Sequence, residues 1–277
     1  MFSRFHSLFL LAATLWLAAS CLPSEKRVLR VCADPNNLPF SNQRGEGFEN
    51  RLAELLAADL GMELDYVWFA QRRGFVRNTL DARLCDVVMG VPSRLETVET
   101  TRPYYRSTYV FVTRAGNGPV VSSLDDEVLT SARIGVHVIG DDYGNPPPVH
   151  ALAKRGLIRN ISGFSIYGDY SQANPPARVV EAVAGGLIDV AIVWGPVGGY
   201  FAQTQPVALR VQPLFPEADG PHLPFTFEIS MAVRKGNAQL LHRLQIFVDT
   251  QQPAIDHILR AYGVPLKPPA LSAERKP

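Results

Sequence analysis

Apolar residues recur along this chain in two alternating rhythms. Leu29–Ala33, Glu63–Phe69 and Asp86–Gly90 are short runs rich in β-branched, aromatic or aliphatic residues and read as strands. Between them, Phe48–Leu60 repeats apolar positions at helical spacing and is followed by Gly61 where a left-handed cap belongs. Gly74–Ala82 reads as the next helix. The β-α-β-α-β series predicts right-handed crossovers and a parallel sheet. Tyr109–Thr113 is a strand leaving this first unit. A second unit of the same plan follows: strand Arg133–Val138, helix Pro148–Arg155, strand Ser162–Tyr167, helix Pro176–Gly185, strand Asp189–Trp194. Phe227–Val233 is a late strand, and Ala238–Val248 and Pro253–Tyr262 read as two helices separated at the proline. Residues 265–277 hold four prolines and mixed charges and read as a disordered tail.

The N-terminus stands outside this pattern. Arg4 and His6 precede an uncharged run, Leu8–Ala19, ending in Ala18, Ala19 and Ser20. These are the three regions of a secretory signal, expected over residues 1–20. The run is shorter than the roughly 20 residues that a permanent membrane helix needs. Cys21 offers a site for lipid anchoring after cleavage, although Ala18 stands where the lipoprotein motif usually has leucine; release into the periplasm is the expectation. No second apolar run reaches membrane-spanning length.

Composition narrows the class. With Arg4 lost in the signal, basic and acidic residues balance at 26 each. That neutrality argues against a nucleic-acid partner, which needs clustered lysine and arginine. A hydrophobic content of 47% supports ordinary cores, and the roughly 255 mature residues suit two lobes. Cys32 and Cys85 remain as one pair in an oxidising compartment. If their strands are parallel neighbours they come within bridging reach; the alternative is two buried thiols. The histidines show no ligand or triad spacing, and no nucleophile elbow or phosphate-binding loop appears, so no catalytic residue, metal or cofactor is assigned.

Several segments carry a resemblance. Asp34–Phe40 followed by Gly47-Phe48-Glu49, the run Val91-Pro92-Ser93-Arg94 through Pro103-Tyr104-Tyr105, Ile229–Asn237 and Tyr262-Gly263 are similar to family-3 extracellular solute-binding proteins. That resemblance implies a two-lobed α/β periplasmic binding protein of type II, each lobe a mainly parallel sheet flanked by helices. It implies lobe 1 over residues 24–112 plus 228–265, lobe 2 over 113–227, two crossing segments as hinge, and a tail over 266–277. Narrower matches, among them Arg30–Ser41, Gln71–Leu80, Cys85–Pro92, Thr101–Thr108, Asn174–Arg178 and Val193–Pro196, resemble the quinoprotein-dehydrogenase-associated members, the XoxJ/MoxJ type. They imply a partner, a PQQ-dependent methanol or alcohol dehydrogenase, which the protein assists in the periplasm.

The cleft residues expected from these readings are Asp34, Asn36, Asn37, Gln71, Arg72, Arg73, Pro92, Arg94, Asp141, Asp142 and Trp194. Arg94 aligns with the arginine that clamps a ligand carboxylate in the amino-acid binders, and its planar fork suits an oxyanion. Asn37 replaces their stacking aromatic, and Trp194 replaces the carboxylate that holds the ammonium. The α-amino-acid grip is therefore expected to be lost. Arg72 and Arg73 at a helix start oppose its dipole unless an anion joins them; pairing with Asp81 or another acid is the plainer alternative. Asp141 and Asp142 either cap the second unit's first helix or face those arginines across the cleft. Three functions follow: a helper that docks on a quinoprotein dehydrogenase, a receptor handing a small, anionic or non-amino-acid solute to an ABC permease, and an enzyme on the same scaffold. Binding rather than catalysis is the expectation.

Overall fold

In a computed structural model the protein is described over residues 27–138, 145–166, 170 and 172–268. The signal region, Cys21, Asp141 and Asp142 lie outside the described residues. Nine main strands form one continuous, strongly crossed sheet. They are β1 (Val28–Ala33), β2 (Glu63–Trp68), β3 (Val87–Pro92), β4 (Tyr105–Arg114), β5 (Ile134–Val138), β6 (Ile161–Ser165), β7 (Val190–Trp194), β8 (Leu209–Pro213) and β9 (Thr226–Val233). Six helices flank them: α1 (Phe48–Leu60), α2 (Phe75–Asn78), α3 (Pro147–Lys154), α4 (Arg178–Ala184), α5 (Gly195–Gln203) and α6 (Ala238–Ala261).

The strand order is β2-β1-β3-β9-β4-β7-β5-β6, with β8 also on β4. In the first half β1 lies parallel between β2 and β3. In the second, β5 lies parallel between β7 and β6. The antiparallel strands β4 and β9 join the halves. β4 pairs with β9 through Tyr105–Thr108 and then with β7 from Tyr109 onward. β9 continues from β4 onto β3, where Ile229 faces Pro92. The boundaries expected at 112/113 and 227/228 both fall inside these crossing strands.

The two halves share one locking device. Arg30 N–H donates to Asp86 Oδ2 at 2.9 Å, and Arg133 N–H to Asp189 Oδ2 at 2.8 Å; both pairs are 56 residues apart. Each ties the start of a central strand to the turn that opens its parallel neighbour.

Burial explains the sequence rhythm. Val87, Val88 and Met89 are all buried because β3 is covered on both faces, so its apolar run is continuous rather than alternating. One face packs on α1 and α6 through Phe48, Leu52, Leu56, Phe247 and Leu259. The other buries Cys32, Cys85, Phe75 and Leu80. The Cys32–Cys85 disulfide closes there, with Cα atoms 5.5 Å apart. In the second half, α4 and α5 cover one face of β4 and β7, while Phe111, Ile134 and Ile192 build the core on the other.

Four segments differ from the sequence reading. The helix expected over Gly74–Ala82 is only Phe75–Asn78, because Phe75 anchors in the disulfide cluster and the chain then turns. Pro253 does not split the last helix. It removes one backbone donor, but buried Val248 and Ile255 dock both sides of it on the same core. Residues 265–268 are pinned rather than disordered: Ser107 Oγ–H donates to Pro265 O at 2.8 Å, and Lys267 N–H to Arg106 O at 2.8 Å. The segment Gly195–Gln203, unassigned from the sequence, is helical.

Candidate functional site

The C-terminal ends of β1, β2, β3, β5, β6 and β7 converge where the crossing strands pass, and the loops leaving them enclose a cavity of about 330 Å³. This is where open α/β sheets place ligands. Asn37 and Phe40 come from the loop after β1, Gln71 follows β2, Gly90–Pro92 end β3, His137 lies near the end of β5, and Trp194 ends β7. Tyr105 and Tyr109 of β4 and Phe227 and Ile229 of β9 form the floor.

The loop after β1 is built around Asp34, which is only 1% exposed. Its carboxylate accepts from Asn36 N–H at 2.8 Å and Gln71 N–H at 2.7 Å. Asn37 Nδ2–H donates to Gln71 Oε1 at 3.2 Å, so the first two strand exits are tied together at the rim. Two bonds cross the mouth from the second half: Tyr170 O–H donates to Asp34 Oδ2 at 3.2 Å, and Asn36 Nδ2–H to Gln172 O at 2.7 Å. The structure is held closed at that edge.

Below the loop, α1 begins at Gly47. Phe48 N–H and Glu49 N–H donate to Pro39 O and Phe40 O at 2.8 and 2.9 Å, while Asn50 Oδ1 accepts from Gly47 N–H and Asn42 N–H. Glu49 is thereby turned inward. It is 7% exposed and lines the cavity, and its carboxyl makes no hydrogen bond or ion pair with any described residue. Burial pushes its carboxyl up to about 8, and the negative charge of Asp34 adds to the effect. Across the cavity, His137 Nε2–H donates to Pro176 O at 3.2 Å, and burial lowers its imidazole to about 4. It is neutral at physiological pH. Trp194 stands edge-on to Tyr109 and Phe227, with ring centroids 5.4 and 5.8 Å away.

Of the expected residues, Asn37, Gln71, Pro92 and Trp194 line this cavity, and Asp34 and Asn36 organise its rim. The arginines do not line it. The turn from Ala70 to Phe75 sends Phe75 into the core and leaves Arg72 and Arg73 exposed. Arg94 takes a left-handed φ of 64° at the turn after β3. It is exposed and lines a second, larger groove with Arg102, Glu228 and Asp249. The oxyanion clamp expected from the resemblance is therefore not assembled in the cavity. The residues that sequence reasoning missed are Glu49, His137 and the aromatic floor. Glu49 had a readable signal: with Leu52, Ala53 and Leu56 it falls on one i, i+3, i+4, i+7 stripe, an acid within a buried helix face. Among the described residues, no group of three His, Cys, Asp or Glu side chains is placed to hold a metal, and no helix is long and apolar enough to cross a membrane.

Residues 29–263 match the model of bacterial extracellular solute-binding proteins, family 3. The chain is 32% identical to Protein MoxJ of Paracoccus denitrificans, covering 93% of this chain and 95% of that protein. Among solved structures, MxaJ from Methlophaga aminisulfidivorans MPT superposes with a TM-score of 0.75 at 29% identity, over 86% of this chain and all of that one. Periplasmic binding protein XoxJ from Methylobacterium extorquens AM1 gives 0.71 at 35% identity, over 87% and 99%.

Proposed function

The chain belongs to the bacterial extracellular solute-binding proteins of family 3, and from that premise we propose that it works in the periplasm as a non-catalytic helper of a PQQ-dependent methanol or alcohol dehydrogenase, with the cavity between its halves as the working site. The observation that carries this reading is the combination of full-length similarity to MoxJ, MxaJ and XoxJ with a cavity stripped of the amino-acid grip. Trp194 cannot neutralise an ammonium by charge, and Arg94 lies in another groove. The disulfide suits an oxidising compartment. The halves behave as lobes in this account: β4 and β9 flex, and the Asp34–Tyr170 and Asn36–Gln172 bonds break on opening.

One observation favours a second reading, a solute receptor for an ABC permease: the cavity is of small-ligand size. Light scattering of the purified chain mixed with the purified quinoprotein dehydrogenase from the same periplasm separates the two. A stoichiometric complex is the expected result. No complex, together with a saturable solute-induced rise in melting temperature, would replace the helper with the receptor.

A further inference from the structure

The buried Glu49 carboxyl, with no hydrogen-bond or ion-pair partner among the described residues, asks what it is there to meet. Among the described residues lining the cavity, Glu49 is the only acid, and His137, the only other ionisable group besides the tyrosines, is held neutral. Around it stand Phe40, Tyr105, Tyr109, Trp194 and Phe227. Trp194, Tyr109 and Phe227 pack edge-to-face, with Tyr109 and Phe227 centroids 6.5 Å apart, so their rings form one aromatic wall. Ring faces attract a desolvated cation, and a carboxylate in the same enclosure supplies the counter-charge. Among the described residues, no arginine or lysine lines the cavity to receive an acid group.

We propose that the cavity binds a small organic cation, an alkylammonium or quaternary ammonium without a carboxylate, held by Glu49 against the Trp194–Tyr109–Phe227 wall. The inference deepens the cavity reading above and rests on it, naming the ligand class the site takes. It departs from the amino-acid binders at both ends: the cation is met from α1, and nothing answers a carboxylate.

Burial keeps the empty-cavity carboxyl mostly protonated at pH 7. Seating a cation therefore ionises Glu49 and releases its proton to solvent, so charge balances inside the cavity. The titratable groups near Glu49 among the described residues are Asp34 from the loop after β1, Tyr66 of β2, whose hydroxyl burial also raises, Tyr104 just before β4 and Tyr105 at its start, and His137 from β5 across the cavity. The Tyr104 and Tyr105 hydroxyls are pushed well up by burial, and all three tyrosines stay neutral, so the proton comes from Glu49.

The test is calorimetric titration of the isolated full chain with methylammonium, tetramethylammonium and choline, and with 3,3-dimethylbutan-1-ol as the uncharged choline isostere. Each is run in two buffers of different ionisation enthalpy. A cation binding with release of about one proton at pH 7 is expected, with the isostere at least about tenfold weaker. Glu49→Gln should lower cation affinity about tenfold or more and abolish the proton release. Gly90→Ala, which pushes the carboxyl aside, should act in the same direction if Glu49→Gln does not fold. No binding by any of the three cations, equal binding of the isostere, or unchanged binding and proton release in both variants overturns the inference. The titration contains no dehydrogenase, so failure to dock on one leaves this result standing, and the reverse holds as well.

Discussion

Glu49 Oε1 occupies the space that a side chain on Gly90 would fill: a Cβ there would stand 2.2 Å from it. The helix start supplies the acid and the middle of β3 supplies the room. Neither residue type alone announces a site. The Tyr104 hydroxyl lies 3.7 Å from the same point, is fully buried and has no hydrogen-bond partner among the described residues, so this corner gathers polarity inside an apolar frame.

That placement gives stability a particular pH dependence. Glu49 binds its proton more tightly folded than unfolded, so its contribution is full below pH 4.5 and is lost as pH rises through about 8. His137 works in the opposite sense, because its folded form resists protonation down to about 4 and its contribution is lost as pH falls below 6.5. The two oppose each other between 4.5 and 6.5, which leaves 6.5 to 8 as the window for Glu49 alone. Urea unfolding there should show stability falling by up to about 1.4 kcal/mol per pH unit. Glu49→Gln should remove that slope. A slope that survives the substitution would show that another group causes it.

The Cys32–Cys85 bond closes a loop of 53 residues, so removing it should cost about 4 kcal/mol through the unfolded chain. The double variant Cys32→Ser, Cys85→Ser should melt well below the wild type. Reductant should lower the wild-type melting temperature and leave the variant unchanged.

Asp34→Ala should destabilise by about 2–4 kcal/mol, because it strands two backbone donors that now meet a carboxylate. Tyr170→Phe keeps those donors satisfied and removes one of the two bonds across the mouth. It should leave the melting temperature nearly unchanged and raise the radius of gyration in X-ray scattering. An unchanged radius would mean that this bond does not hold the mouth.

Gly47→Ala should be among the costliest single-methyl additions in the chain. Its Cβ would fall 2.0 Å from Phe40 O, so α1 and the loop carrying Asn37 must separate. A loss of about 1–3 kcal/mol in urea unfolding is expected, together with loss of cavity binding.

Periodicity revealed most of the frame. Phe48–Leu60 with Gly61 at φ 63° stands as read, because one apolar stripe and one left-handed cap define it locally. It failed for α5, where Gly195, Pro196, Gly198 and Gly199 look like a loop. Those glycines serve close packing instead: a Cβ on Gly199 would meet Gly263 O at 1.9 Å. In the site, Asn37, Gln71, Pro92 and Trp194 were legible because they lie at or just beyond strand C-terminal ends, where the family resemblance also places cleft residues. Arg72, Arg73 and Arg94 were not, because a turn decides which way a side chain leaves a strand, and turns depend on distant anchors such as Phe75. Glu49 lay in plain sight on the apolar stripe of α1, but in the first turn of a helix an acid ordinarily answers the dipole from solvent, and that reading masked its inward turn.

If the cavity between the halves is the working site, engaging it must alter its walls. Amide hydrogen exchange, with and without the quinoprotein dehydrogenase and with and without a cavity ligand, measures it directly. Slowed exchange is expected in both halves at once, at residues 34–42, 90–91 and 194–197. Protection confined to the Arg94 groove or to one outer face, with those segments unchanged, would contradict that role.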